Sequence, residues 1–192
     1  NGIRGGSATV HFPIWHQEIR DIIVLKNNKG TEDNRVRKLD YSIQLSALFY
    51  QRFIDNGKIT LFSPHDVPNL YESFGTESFD ELYQTYEDDE SIPKTSVSAQ
   101  ELILDLLKER AETGRLYIMN IDHCNSHSSF TDKVEMSNLC QEITLPTKPV
   151  QHIDDEHGEI ALCILSAINI GKIRDVSDLE TLCDLSVRSL DE

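Results

Sequence analysis

Three side chains at alternate positions, Asn138, Cys140 and Glu142, define the most reactive-looking stretch of this sequence. In extended backbone, residues two apart point the same way, so an amide, a thiol and a carboxylate would share one face. A thiol there can act as a nucleophile or a carrier of a hydrogen atom. The carboxylate can accept a proton, and the amide can orient either partner. A surface strand could also carry these three side chains with no chemistry attached.

Other groups compete for attention. Asp122-His123-Cys124-Asn125-Ser126-His127 places imidazole and thiol ligands close together, and Cys140 or Cys163 could complete a tetrahedral metal set. No C-x2-C pair accompanies the His123/His127 spacing to make the usual pair of pairs, so a polar loop bonding to its own backbone explains the run as well. Cys163 sits inside the apolar run Ile160–Leu165 and Cys183 among Leu179 and Leu182, where a thiol is ordinarily a small hydrophobe. Arg4-Gly5-Gly6 offers a cation beside two permissive backbone positions, compatible with a loop around a base or a phosphate.

The elements that must position these groups read as follows. Helices are expected over Pro13–Leu25, from an Asp40 cap to about Asn56 (with Ile43, Ala47, Leu48 and Ile54 inward and Gly57 as the stop), and in short pieces at Leu70–Phe74 and Phe79–Tyr86. Ser98 and Glu101 form a capping box before Leu102, Ile103, Leu106, Leu107 and Ala111, and Gly114 ends that helix. Ser177 and Glu180 repeat the pattern before a last amphipathic helix. Strands are expected at Ile59–Phe62 and Leu116–Ile121, with a short extended piece at Ile143–Leu145. The continuous apolar run Ile160–Ile170 predicts a buried strand enclosing Cys163. Lys26–Arg37 reads as a loop, and Glu87-Asp88-Asp89-Glu90 as a solvated helix end. The order of elements is that of an α/β protein.

Composition bounds the partners. The 192 residues carry 18 Lys+Arg against 33 Asp+Glu, a net charge of −15, with 39% hydrophobic residues. This acidity excludes binding to nucleic-acid polymers through their phosphates. No stretch approaches the roughly 20 apolar residues of a membrane span. Four cysteines are too few for a disulfide scaffold.

Several strings together resemble the large, catalytic subunit of class I ribonucleotide reductase. They are Arg4-Gly5-Gly6-Ser7-Ala8-Thr9, Trp15-His16, Leu25-Lys26-Asn27-Asn28, Asn34-Arg35-Val36-Arg37 and Leu61-Phe62-Ser63-Pro64-His65-Asp66-Val67. Asn120-Ile121-Asp122-His123-Cys124-Asn125, Ser137-Asn138-Leu139-Cys140-Gln141-Glu142, Leu145-Pro146-Thr147-Lys148-Pro149 and Gly158-Glu159-Ile160-Ala161-Leu162-Cys163 continue the match across the chain. The wording is most similar to the versions of T-even-like bacteriophages.

The resemblance implies an internal part, about a quarter, of a catalytic subunit built on a ten-stranded α/β barrel. Residues 1–6 would end a specificity loop, 137–145 form the central finger loop, and 160–170 form a buried strand with a redox cysteine. Cys140 would become a thiyl radical that takes the 3′ hydrogen of a ribonucleoside diphosphate, Glu142 would take the 3′-hydroxyl proton, and Asn138 would bond to the sugar. Cys163 would be one of two substrate-reducing cysteines, its partner lying outside these 192 residues. Arg4, Gly5, Gly6 and Ser137 would belong to the substrate and specificity contacts. Cys124, Cys183, His123 and His127 would be structural, and no metal or cofactor would bind this segment itself.

The implied partners are the remaining N- and C-terminal parts of the subunit, a second copy of it, and an iron-containing small subunit that supplies the radical. ATP and deoxynucleotide effectors, thioredoxin or glutaredoxin as reductant, and a cytoplasmic location follow too, in a bacterial host if the protein is phage-encoded. The segment alone would be inactive. Two other readings remain at this stage: a stand-alone metal- or nucleotide-binding module around His123, Cys124 and His127, and a catalytically inert domain that docks a partner through its acidic surface.

Overall fold

A computed structural model describes residues 3, 5–29 and 31–192, with Asn34 described by its backbone alone. It divides into two compact units, residues 1–147 and 148–192.

The first unit is built on three parallel strands in the order β1-β2-β5: β1 (Thr9–Pro13), β2 (Asp40–Leu45) and β5 (Leu116–Asn120). Both β1 and β2 lie within segments expected to be helical, at Pro13–Leu25 and Asp40–Asn56. Only α1 (Ile19–Ile23) and α2 (Ala47–Ile54) of those helices form. The reason is legible in β2 itself. Asp40-Tyr41-Ser42-Ile43-Gln44-Leu45 alternates polar and apolar with a period of two, which a sheet satisfies and a helix does not. Asp40 therefore begins a strand rather than capping a helix. Ala47 and Ile54 are exposed, while Phe49 is the residue α2 buries. Pro13 can end β1 because β1 is an edge strand of this sheet.

An antiparallel pair, β3 (Lys58–Phe62) and β4 (Lys94–Ser98), lies between β2 and β5 in sequence. The β4 strand had no counterpart among the expected elements. Helices α3 (Leu70–Ser73) and α4 (Phe79–Asp88) fall inside this excursion, and α5 (Ala99–Thr113) leads from β4 back to β5. The expected capping box forms: the Ser98 hydroxyl accepts from the Glu101 amide at 3.3 Å. Gly114 ends α5 with φ at +65°, a left-handed turn that glycine adopts without steric cost. Leu102, Ile103 and Leu106 are buried, whereas Leu107 and Ala111 face outward.

Aromatic side chains fill the space between α2, α4 and β3. Phe74 and Phe79 ring centroids are 4.6 Å apart, and Tyr83 lies 5.5 Å from Phe49 and 5.6 Å from Phe62 in edge-to-face contacts. The Tyr83 hydroxyl accepts from the Thr60 amide (2.8 Å) and donates to the Thr60 carbonyl (2.7 Å). Burial raises its pKa above the ordinary phenol range. Arg52 of α2 stacks 4.9 Å above the same ring and forms two parallel bonds of 2.5 Å to the Glu87 carboxylate. Glu87 is thus not part of a solvated acidic end, although Asp88, Asp89 and Glu90 are exposed. A tertiary partner 35 residues away withdraws it from water.

In the second unit, Lys148 and Glu159 form a β-bridge and a 2.9 Å ion pair, and helix α7 (Asp178–Asp191) closes the chain. The run expected as a buried strand takes a different form: residues 160–169 have no regular structure, and Ile160 and Leu162 are 71% and 81% exposed. Cys163 is exposed as well. Among the described residues no strand accepts the backbone groups of this run, and an apolar strand is buried only where neighbours pair with it and cover it. Likewise Ile143–Leu145 forms no strand, and the Ser177 side chain caps nothing although α7 forms. No helix is long and apolar enough to cross a membrane among the described residues.

The Arg52–Glu87 pair is only 18% and 11% exposed, so removing one partner strands a charge. Glu87→Ala should lower the free energy of urea unfolding by about 2–3 kcal/mol, read from the fluorescence of the single, fully buried Trp15. Asp88→Ala, on the exposed side, should stay within about 0.5 kcal/mol of the parent.

Candidate functional site

In-register residues of a parallel sheet share a face, and the β1-β2-β5 register sorts its side chains sharply. One face carries Val10, Phe12, Tyr41, Ile43, Leu45, Leu116 and Ile118. The other carries Thr9, His11, Asp40, Ser42, Gln44 and Tyr117, with Pro13 and Met119 at its end, so it is largely polar although Ser42 and Gln44 are wholly buried. Polar groups inside a protein need partners. Here the segment 135–143 supplies several of them, while Gln44 Oε1 and His11 Nδ1 are buried without a partner among the described residues.

Each strand residue takes a different point on that segment. The Thr9 hydroxyl donates to the Leu139 carbonyl (2.5 Å), and the Gln44 amide donates to the Glu135 carbonyl (2.6 Å). The Ser42 hydroxyl donates to Gln141 Oε1 (2.5 Å), and Gln141 Nε2 donates to the Ile118 carbonyl of β5 (2.7 Å). His11 Nε2 meets the Ser137 backbone, either donating to its carbonyl (3.2 Å) or accepting from its amide (3.3 Å), according to the tautomer. Upstream, Asn125 holds Val134 from both sides: its Oδ1 accepts from the Val134 amide (2.8 Å) and its Nδ2 donates to the Val134 carbonyl (3.0 Å).

The three expected reactive residues lie in this segment, but not along an extended strand. Asn138–Gln141 is a turn, closed by a 3.1 Å bond from the Gln141 amide to the Asn138 carbonyl. Gln141 then takes φ of +63°, a left-handed conformation that costs a non-glycine residue about 1 kcal/mol. The simple rule that alternate residues share a face therefore fails here. Cys140 and Glu142 are both exposed, while Asn138 is half-buried. Asn138 Oδ1 accepts from the Ile143 amide (3.0 Å), and the single Ser137 hydroxyl hydrogen is shared between the Ile143 carbonyl, the nearer acceptor, and Asn138 Oδ1 at 3.2 Å. Tyr117, on the row of His11 and Ser42, lies beside the turn. Its phenol is pushed up mainly by burial, with the Cys140, Asp40 and Glu142 charges adding to that effect.

The remaining candidates separate from this site. Gly5 and Gly6 are exposed, and a Cβ on either would meet no atom within 4 Å; Arg4 lies outside the described residues. Cys163 and Cys183 belong to the second unit. Asp122 caps α2, its Oδ2 accepting from the Ala47 amide at 2.7 Å, and begins the turn of helix α6 (Ile121–Ser126). The rings of His123 and His127 stand 6.0 Å apart, and His127 Nδ1 bonds to the His123 carbonyl. Burial raises the Cys124 thiol. Among the described residues no three His, Cys, Asp or Glu side chains are grouped to hold a metal ion. A cleft of about 570 Å³ bordered by Ser46, Gly75, Asp80, Asp122, Asn125 and Lys133 shares no residue with the 135–143 segment. A smaller one of about 310 Å³ reaches that segment at Gln141, between Ile118, Cys124 and Thr144.

Five residues that hold the segment, Thr9, His11, Ser42, Gln44 and Gln141, carried no functional expectation. The signal for the first four was the alternation in Thr9–Phe12 and Asp40–Leu45, which puts polar side chains on a face that the topology then buries; Gln141 had no such signal.

This arrangement has relatives. The barrel-domain family of ribonucleotide reductases matches residues 1–192, and the chain belongs to that family. More particularly, it is similar to the ribonucleoside-diphosphate reductase subunit alpha of Haemophilus influenzae, with 58% identity over 99% of this chain and 26% of that protein. The corresponding subunit of Buchnera aphidicola (subsp. Schizaphis graminum) is 57% identical over 100% of the chain and 26% of its own length. That of phage T4 is 43% identical over 99% and 26%. The chain thus spans about a quarter of the length of the curated relatives it matches. The T-even-like wording is not where similarity peaks among these three, since both bacterial proteins exceed the phage one.

Burial lowers the pKa of His11, and its Nδ1 is buried without a partner among the described residues. Because the folded value lies below the unfolded one of about 6.5, the neutral ring favours the fold. That stability is present above the unfolded pKa and is lost as pH falls through the folded one. His11→Phe should accordingly flatten the fall in urea midpoint between about pH 7.5 and pH 5.

Proposed function

We propose that this chain is the central part of the catalytic alpha subunit of a class I ribonucleotide reductase, which makes deoxyribonucleoside diphosphates from ribonucleoside diphosphates. The observation that carries the reading is the polar sheet face holding a short turn from which Cys140 and Glu142 emerge exposed, beside an Asn138 whose oxygen is already engaged. Membership of the barrel-domain family supports it.

The chemistry assigned to each residue balances. A Cys140 thiyl takes the hydrogen from C3′, so a C–H bond breaks and an S–H bond forms. Glu142 accepts the proton of the 3′-hydroxyl. Asn138 Nδ2 makes no hydrogen bond among the described residues and is the group left to donate to a sugar hydroxyl. The C2′–O bond breaks as the 2′-hydroxyl takes a proton from one of a pair of thiols and leaves as water. The pair then gives two electrons and its second hydrogen to C2′, where a C–H bond forms, and closes to a disulfide, while the proton on Glu142 returns to the 3′-oxygen. Cys163 is one of that pair and its partner lies elsewhere in the subunit. The hydrogen then returns from Cys140 to C3′.

Radical initiation is assigned to an iron-containing small subunit, and disulfide reduction to a thioredoxin or glutaredoxin. Effector nucleotides and subunit dimerisation belong to parts of the relatives' length beyond this match. Arg4, Gly5, Gly6 and Ser137 are assigned to the substrate and specificity contacts, Ser137 through its backbone on His11. The exposed apolar run 160–170 is surface that such a larger subunit would cover. A cytoplasmic site of action follows from the substrate. A phage origin has the T4 relative in its favour, and the bacterial relatives weigh towards a bacterial one.

The test uses the complete large subunit carrying this chain, with small subunit and reductant. Cys140→Ser should abolish deoxynucleotide formation while leaving nucleotide affinity within about two-fold. Glu142→Gln should lower turnover by roughly 10²–10⁴-fold, the range for loss of a proton acceptor. Turnover surviving the Cys140 substitution would contradict the assignment.

A further inference from the structure

Cys140 and Glu142 are exposed and make no hydrogen bond through their side chains among the described residues, yet the reaction needs both aimed at one sugar. The residue between them is the one whose side chain turns back to the sheet. Left-handed backbone at Gln141 (φ +63°) ends the turn that lifts Cys140 outward and sends the Gln141 side chain the other way. Its amide bridges two adjacent strands, accepting from Ser42 Oγ of β2 (2.5 Å) and donating to the Ile118 carbonyl of β5 (2.7 Å).

The orientation of that amide is fixed by chemistry. A hydroxyl can donate or accept, but the Ile118 carbonyl can only accept, so the NH₂ end must face β5 and the oxygen must face Ser42. Ser42 is fully buried and in register with His11, which holds the Ser137 end of the same loop.

We propose that Gln141 is a positioning residue for the reaction: its two-strand bridge sets the rotation of the peptides on either side of it, and with them the direction of the Cys140 thiol and the Glu142 carboxylate. This rests on the reading of Cys140 as the radical-bearing thiol. Thr9 and Gln44 hold backbone carbonyls further along the segment, whereas Gln141 alone is bonded in sequence to both reacting residues.

The test compares kcat and KM in the complete subunit with its small subunit. Gln141→Met keeps the length and removes both bonds; it should lower kcat roughly ten- to a hundred-fold with KM within two-fold, the signature of misplaced rather than missing groups. Ser42→Ala should lower kcat in the same direction, and the double variant should be no worse than Gln141→Met, since both delete one bridge. Gln141→Glu separates the two bonds. Ionised at neutral pH, as a carboxyl of ordinary pKa about 4.3 is, it can accept from Ser42 but cannot donate to Ile118, so kcat should fall in the same direction with KM within two-fold.

Gln141→Met with kcat within two-fold of the parent would overturn the proposal while an inactive Cys140→Ser leaves the reading of the loop intact. An active Cys140→Ser would overturn both.

Discussion

A buried polar face on a parallel sheet is the constraint on which the rest of this structure depends. Strands of such sheets are usually apolar on both sides, because both sides are covered. Here Ser42 and Gln44 lie in the central strand, beneath a layer that has to offer carbonyls, amides and an acceptor side chain. Each such bond contributes only about 1 kcal/mol net, but each group left unpaired would cost as much or more. The segment 135–143 is therefore held by several modest bonds spread over β1, β2 and β5.

That design holds a loop in place without engaging all of its side chains. Its fixed points are backbone carbonyls and the Gln141 side chain, so the side chains of Cys140 and Glu142, the residues proposed to react, are left exposed. The left-handed backbone at Gln141 is a local cost, offset by the two bonds its amide makes. Beyond the sheet, Asn125 clamps Val134 at the entry to the segment, and Asp122 ties α6 to the start of α2. The run Asp122–His127, which looks like a ligand set in sequence, is thus a bracket between the second strand's helix and the reactive loop. On the opposite face, the apolar residues of the same strands and the aromatic cluster around Tyr83 provide the rigid backing.

Much of this was legible in the sequence, unevenly. Capping at Ser98, the Gly114 stop and the strands expected at Ile59–Phe62 and Leu116–Ile121 follow from local chemistry that the structure repeats, except that Ile121 begins α6. The family was legible from its strings, whereas the shared face expected for Asn138, Cys140 and Glu142 gave way to a turn. Strands β1 and β2 were hidden because isoleucines and leucines spaced three or four apart around them mimic a helical face, and the tighter alternation was outweighed. The Arg52–Glu87 pair and the Gln141 bridge join residues 35 and 99 positions apart, which no local pattern encodes. Residues 160–170 show the converse limit: apolar composition reports what a segment can bury, not whether a neighbour is there to bury it.

The claim that the polar face orders the reactive turn is tested most directly by residue-resolved amide hydrogen exchange over 137–143. The amides of Gln141 and Ile143 are bonded to the Asn138 carbonyl and Asn138 Oδ1, whereas those of Leu139 and Cys140 make no bond among the described residues. The structure predicts protection of the first two by roughly two orders of magnitude over the other two. Uniformly fast exchange across all four would contradict it, because a loop held as described keeps these two amides closed while their neighbours exchange.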